Sequence, residues 1–305
     1  MKLSTVQENL HPVLVTGATG KQGGAVARAL LAQGTPVRAF VRDLNSKGSE
    51  TLEALGAGLV LGDLKDKESL FAACTGARAV FSIQSPEMSD LGSDTEQVQG
   101  RNLVEAALAA RVAQFVHTSV SGAGDYVRNA PGWKEDKWDK HYWESKAYTE
   151  ELVRNAGFRY WTIIKPTFFM ENFIRPSFLF ANWVEDRLAT AILPETRLAL
   201  VAVQDIGAAG AAAISDPEKF NRLNIELASD WLTMREIAAT LSDAMGIKLE
   251  APTMSVAEVI EQGMMPVLVA GQEWLNEAGS PARPAQARAL GLPTTDFKTW
   301  ADKTL

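Results

Sequence analysis

The chain has 305 residues, 46% of them hydrophobic and 22% charged, and a formal net charge of −7. That composition is ordinary for a globular protein, and the acidic balance argues against nucleic acid as a direct partner, because phosphate contacts need clustered Lys and Arg. Cys74 is the single cysteine, which excludes an internal disulfide, and three histidines without clustered cysteine give no metal signature.

Along the chain, "PVLVTG" (12–17) reads as a short buried strand, and "KQGGAVARALLAQG" (21–34) as a helix stopped by Gly34. Strands follow at 36–43, 58–64, 77–85 and 113–120. Between them lie helices over "SETLEALGA", "DKESLFAACTG" (66–76) and 94–112. A helix after Lys146 ends at Gly157, and "RYWTIIKP" (159–166) is another strand. Such strand–helix alternation with short connections predicts a parallel sheet covered by helices on both faces. The pattern then changes. "TFFMENFIRPSFLFANWVED" is aromatic-rich and broken by Pro176, "LALVAVQDIGAAGAAAISDP" runs from strand into an Ala-rich helix, 222–229 returns as strand, and 233–246 is helix. The reading is a first domain over 1–165 and a smaller lobe over 166–305, with some segments returning to the main sheet. The N-terminus shows no signal core with a cleavage site, and no run approaches a membrane span, so a cytoplasmic protein without a membrane partner is expected.

The first strand runs into "VTGATGKQGG", where Gly17, Gly20 and Gly23 recur at every third position. Glycines there allow a sharp turn from strand to helix and let backbone approach a pyrophosphate, whose charge the helix N-terminus holds. The motif is weak alone; its place between a strand and a helix is the context a dinucleotide fingerprint needs. Thr19, Lys21 and Gln22 share that turn. The second strand ends "AFVRD". Where an acidic residue would meet a ribose hydroxyl, Arg42 stands, with Lys21 nearby; both suit a 2′-phosphate and favour NADP over NAD. Asp43 argues the other way if the strand runs one residue longer. Asp63 and Leu64, after the third strand, are expected beside the adenine, and Gln84 and Ser85, closing "FSIQS", beside the ribose and nicotinamide.

These stretches, with "GDLKDKESL", "SKAYTEELVRNAGFRYWTIIKPTFFMENF" and "VAVQDIGAAGAAAISDP", make the sequence resemble the NmrA-like family of atypical short-chain dehydrogenases/reductases over roughly residues 12–230. The resemblance implies a Rossmann-type α/β fold, a doubly wound parallel sheet with a smaller C-terminal substrate lobe, and NADP binding. It implies either a reductase or a redox sensor that binds the dinucleotide and regulates a protein partner. Pro166 and Phe169, after the sixth strand, are expected among the cofactor contacts.

In short-chain dehydrogenases a Tyr-x-x-x-Lys pair follows the fifth strand. Here it is Tyr142 and Lys146 in "YWESK". Residues four apart share a helical face. The resemblance implies that Lys146 binds the nicotinamide ribose and lowers the tyrosine pKa from about 10, and that Tyr142 moves a proton at the substrate oxygen. Many NmrA-like sensors lack the tyrosine, so its presence points toward an enzyme. One departure is Val120, which fills the slot usually held by a substrate-binding serine; Thr118, Ser119 and Ser121 are near. His117, inside an apolar strand, reads as a satisfied core histidine, and Cys74 as packing. The tryptophans of "GWKEDKWDKHYW" (132–143) read as a lid or a packed surface loop. The combined reading is an NADPH-dependent oxidoreductase for a small apolar or aromatic carbonyl, enone or quinone, with room for a homo-oligomer. The alternative is a sensor without turnover.

Overall fold

A computed structural model describes residues 11–87 and 89–305. Residues 1–10, part of the stretch behind the reading of no signal segment, lie outside the described residues. The chain divides into two compact units. The first comprises residues up to Gly124, His141–Lys165 and Ile206–Ile225; the second comprises Asp125–Lys140, Pro166–Asp205 and Glu226–Leu305.

The first unit is built on strands β1 (Val13–Val15), β2 (Val37–Val41), β3 (Gly58–Leu61), β4 (Ala79–Ser82), β5 (Gln114–Thr118) and β6 (Tyr160–Pro166), with β9 (Leu223–Leu227) at one edge. Strand order is β3-β2-β1-β4-β5-β6-β9, and the pairs from β3 through β6 are parallel. Helices α1 (Lys21–Ala32), α2 (Lys47–Ala54), α3 (Lys67–Cys74), α4 (Thr95–Ala109), α6 (Lys140–Asn155) and α7 (Val203–Ser215) connect or cover these strands. The order reverses between β1 and β4, the switch point at which open α/β sheets bind ligands beyond their carboxyl ends.

Successive strand residues point to opposite faces, so each face has its own core. On one, Leu14, Val80 and Phe115 pack with Leu70, Leu103 and Val153 from α3, α4 and α6. Phe115 stacks on Phe158 with ring centroids 4.8 Å apart. On the other, the Ala-rich α7 lies against α1. A Cβ on Gly207 would fall 2.7 Å from the Ala25 carbonyl oxygen, and one on Gly210 would fall 2.7 Å from Val26 Cγ2. Only glycine admits that approach, which explains how a late segment joins the first unit. Cys74 is fully buried here, and burial pushes its thiol up to about 12, as suits a packing residue.

The second unit holds a three-stranded sheet in the order β10 (Asp230–Thr233), β8 (Arg197–Val201), β7 (Phe168–Phe169). Its core joins Met170, Phe173, Leu198 and Leu200 to Ile237, Leu241 and Trp300 of helices α8 (Met234–Met245) and α10 (Phe297–Thr304). Thr233 and Glu236 form a capping box at the start of α8, and Gly246 ends it with φ +66°. Met170 and Phe173 of the aromatic run are therefore core.

The sequence reading put residues 125–140 in the first domain, whereas they, with the short helix α5 (Asp125–Arg128), fold with the second unit. The reason is their partners on α9 (Pro266–Glu277) and just beyond it. Trp138 meets Trp274 edge-on at 5.2 Å, Lys137 pairs with Glu277 at 2.5 Å, and Tyr126 Oη donates to the Ala278 carbonyl at 2.6 Å. The Trp138 part of the tryptophan-rich stretch is packed, not a free loop. No helix among the described residues is long and apolar enough to cross a membrane.

Candidate active site

The three spaced glycines of the first turn do different work. Gly17 has φ +58°, and a Cβ there would also meet Ile83 Cγ2 at 2.4 Å. Gly23 sits where a Cβ would fall within 2.6 Å of the Gly17 and Thr16 carbonyl oxygens. Both are demanded by the fold. Gly20 differs: its φ of −88° suits any residue, and its Cβ would meet only the Gly17 oxygen, at 3.2 Å. It is the N-cap of α1, with no side-chain bond to the first helical N–H groups. An exposed helix N-terminus with bare backbone around it is a ready anion site, so the cradle fits a pyrophosphate. Thr19 and Lys21 are exposed beside it. Gln22 faces inward, where its Oε1 accepts from Thr118 Oγ1 at 2.8 Å and ties the start of α1 to the end of β5.

Strand β2 ends at Val41, so Arg42 is the first residue beyond it. Arg42 and Lys21 are exposed, and neither has a hydrogen bond or ion pair among the described residues. Asp43 closes its own turn: its Oδ1 accepts the Asn45 N–H at 2.9 Å, and its backbone carbonyl accepts from Ser49 Oγ at 2.6 Å. Asp63 likewise turns its own loop, taking the Lys65 N–H at 2.7 Å, while Asn102 of α4 holds the Leu64 carbonyl at 3.1 Å. Of the pair after β4, Ser85 is exposed. Gln84 is 6% exposed, and its amide turns back to donate to Ser82 Oγ at 2.9 Å. It therefore shapes the strand end from beneath instead of offering its amide outward.

Tyr142 and Lys146 lie on α6 with their side chains together, the ammonium 5.4 Å from the ring centroid. Tyr142 also meets Trp143 edge-on at 5.2 Å. Lys146 Nζ is joined to Glu96 Oε1, from the first turn of α4, by an ion pair that leaves 14% and 9% of the two side chains exposed. Burial pulls the ammonium's pKa down, but the charges of Tyr142 and Glu96 outweigh it, so the net shift is upward. Lys146 is a fixed cation at neutral pH. His117 shares a 3.2 Å hydrogen bond with Ser82. Its pKa falls to about 3, first through burial and next through the Lys146 charge, so it is a neutral core group.

A second polar cluster, absent from the sequence reading, closes the ends of β5 and β6. Glu150, fully buried on α6, accepts from Ser119 Oγ at 2.7 Å and pairs with Lys165 at 2.9 Å and Arg154 at 2.6 Å. Lys165 Nζ also donates to the Ala123 carbonyl at 2.7 Å. Ser119 is thus committed to Glu150, and Ser121 is buried and partnered. The one signal for this cluster in the sequence is Lys165, a charge closing an apolar strand. Pro166 ends β6 and Phe169 pairs with Val201 in the three-stranded sheet; both belong to the second unit. Among the described residues no group of His, Cys, Asp or Glu is arranged to hold a metal ion.

With this geometry in hand, the chain matches the NmrA-like family profile over residues 10–292. The chain belongs to the NmrA-like family. Among curated relatives of this family member, an NAD(P)H azoreductase of Xenophilus azovorans is 30% identical over 252 residues, covering 82% of this chain and 78% of that protein. A photosystem II assembly factor of Cyanophora paradoxa is 32% identical over 164 residues, covering 53% of this chain and 47% of the other. The NmrA-like chain thus spans about half the length of several relatives it matches. Among solved structures, an NADPH-dependent quinone oxidoreductase from Escherichia coli, complexed with NADPH, superposes with a TM-score of 0.75 at 21% identity, covering 95% of this chain and 99% of that one. That likeness is one of fold.

Proposed function

We propose that this NmrA-like protein is an NADPH-dependent oxidoreductase that reduces a small apolar or aromatic carbonyl, enone or quinone. The observation that carries the reading is the Tyr142–Lys146 pair on one helix of the same unit as a glycine cradle fitted to pyrophosphate. The reductase names among its relatives support it.

Gly20 and the first turn of α1 hold the pyrophosphate. Arg42 and Lys21, exposed and unpaired among the described residues, take a 2′-phosphate, so NADP is preferred and NAD is the weaker alternative. Lys146 holds the nicotinamide ribose. When bound, such a cofactor would supply a hydride to the substrate. The Tyr142 hydroxyl then gives its proton to the substrate oxygen, aided by the adjacent ammonium. With Val120 in the serine slot, the tyrosine carries the oxygen without a hydroxyl neighbour from that position. Quinones suit such a site, since the reduced oxygen needs less help.

The test is steady oxidation of NADPH, followed at about 340 nm, against a panel of quinones, enones and aromatic carbonyls. Turnover with at least one class is expected. Tight cofactor binding with no turnover across the panel would favour the sensor reading, in which a protein partner replaces the small-molecule substrate.

A further inference from the structure

We propose that Glu96 is the positioning residue of the site: its carboxylate fixes where the Lys146 ammonium stands relative to Tyr142 and the cofactor ribose. The inference rests on the role given to Lys146 in the proposed function.

Three contacts between α4 and α6 occur in one register. Glu96 meets Lys146, Gln97 Nε2 donates to Ser145 Oγ at 3.1 Å, and Gly100 faces Thr149. From Glu96 and Gln97 to Gly100 on α4, and from Ser145 and Lys146 to Thr149 on α6, the numbers rise by one turn on each helix, so the helices run side by side in the same sense. A Cβ on Gly100 would fall 2.5 Å from Thr149 Oγ1. Glycine there lets the helices come close enough for Glu96, one turn earlier, to reach a lysine one turn before Thr149. Glu96 also lies in the first turn of α4, where the helix dipole favours a carboxylate.

A lysine side chain has four rotatable carbons and holds no single place unaided. Tyr142 offers a ring face 5.4 Å away, which attracts the cation without fixing its direction. Glu96 supplies a charged hydrogen bond, which is both directional and strong. That one carboxylate therefore aims the ammonium. A purely structural role for Glu96 would be to neutralise a buried cation, and that role affects stability but not cofactor affinity.

The test is NADPH affinity of the full chain without substrate, read by nucleotide fluorescence, for Glu96→Gln, Lys146→Met and the double variant, with melting temperatures alongside. Glu96→Gln is expected to weaken NADPH binding roughly tenfold, the effect of losing one charged hydrogen bond. Lys146→Met should weaken it at least as much, and the double variant should bind no worse than Lys146→Met alone. Glu96→Asp, which keeps the charge, should recover most of the affinity. The inference is overturned if Lys146→Met weakens binding while Glu96→Gln leaves it unchanged or tightens it. The first result makes Glu96 structural; the second makes it a competitor for the lysine. If Lys146→Met itself leaves NADPH binding untouched, the assigned role of Lys146 falls and the inference falls with it.

Discussion

The Asp43 carboxylate accepts the Asn45 backbone N–H at 2.9 Å and so closes its own turn directly after Arg42. The exposed guanidinium one residue earlier is left without a partner among the described residues. Arg42→Ala should therefore weaken NADPH by about ten- to a hundredfold, the range for a charged hydrogen bond, and leave NADH nearly unchanged. Calorimetric titration of both cofactors checks this, and equal losses would remove Arg42 from the phosphate site.

The cradle glycines should fail in two ways. Gly20→Val adds its bulk where only the Gly17 oxygen is near and φ is −88°, so the fold should survive and dinucleotide binding should be lost. Gly23→Ala drives a methyl to within 2.6 Å of two backbone oxygens and should cost about 1–3 kcal/mol of stability. Circular dichroism melts paired with binding titrations separate the two. A folded Gly20→Val that still binds cofactor would place the pyrophosphate elsewhere.

Tyr142 and Lys146 should also separate. Lys146→Ala should reduce both cofactor affinity and turnover. Tyr142→Phe keeps the ring packed on Trp143 and should bind cofactor normally, while turnover of a carbonyl or enone falls roughly 10²–10⁴-fold. A quinone should be less affected, since its reduced form collects protons from water. Both substrate classes should be assayed side by side. If the enone rate survives Tyr142→Phe, the tyrosine is only a packed aromatic.

Glu150 and Lys165 are both buried, with 0% and 7% of their side chains exposed. Lys165→Met strands part of a buried carboxylate's partnership, and loss of one partner of a buried pair costs about 3–5 kcal/mol. Urea unfolding at neutral pH should show a loss of that order. A change below about 1 kcal/mol would mean that Arg154 and Ser119 alone satisfy Glu150.

His117 makes a prediction about acid. Its pKa is lowered from 6.5 in the unfolded chain to about 3 in the fold. Between these values the unfolded chain binds a proton that the native one refuses, so unfolding is favoured as pH falls. The contribution is complete above about pH 6.5 and lost progressively down to about pH 3. Comparing urea midpoints at several pH values for the wild type and His117→Asn should show a shallower acid slope in the variant. Identical slopes would assign the acid loss to carboxylates instead.

The strand–helix alternation, the glycine spacing and the Tyr142–Lys146 spacing were legible in the sequence because each rests on neighbours within a few residues. Periodicity, glycine freedom and a shared helical face are local properties, and strand β1 or helix α1 could be placed within a residue or two from them. The family reading rests on the same local stretches. What needed the tertiary structure came from distant partners. Lys146 meets Glu96 across 50 residues of chain, and Ser119 meets Glu150 across 31. Gln84 turns inward to Ser82, and residues 125–140 fold with the second unit, where Trp138 meets Trp274 and Lys137 pairs with Glu277. Even the three cradle glycines, equal in the motif, divide only in space: a Cβ on Gly17 or Gly23 would come within 2.4 Å of a neighbouring atom, whereas one on Gly20 would meet a single backbone oxygen at 3.2 Å. Burial and partnership depend on which segments the sheet brings together, and no spacing along one stretch carries that information.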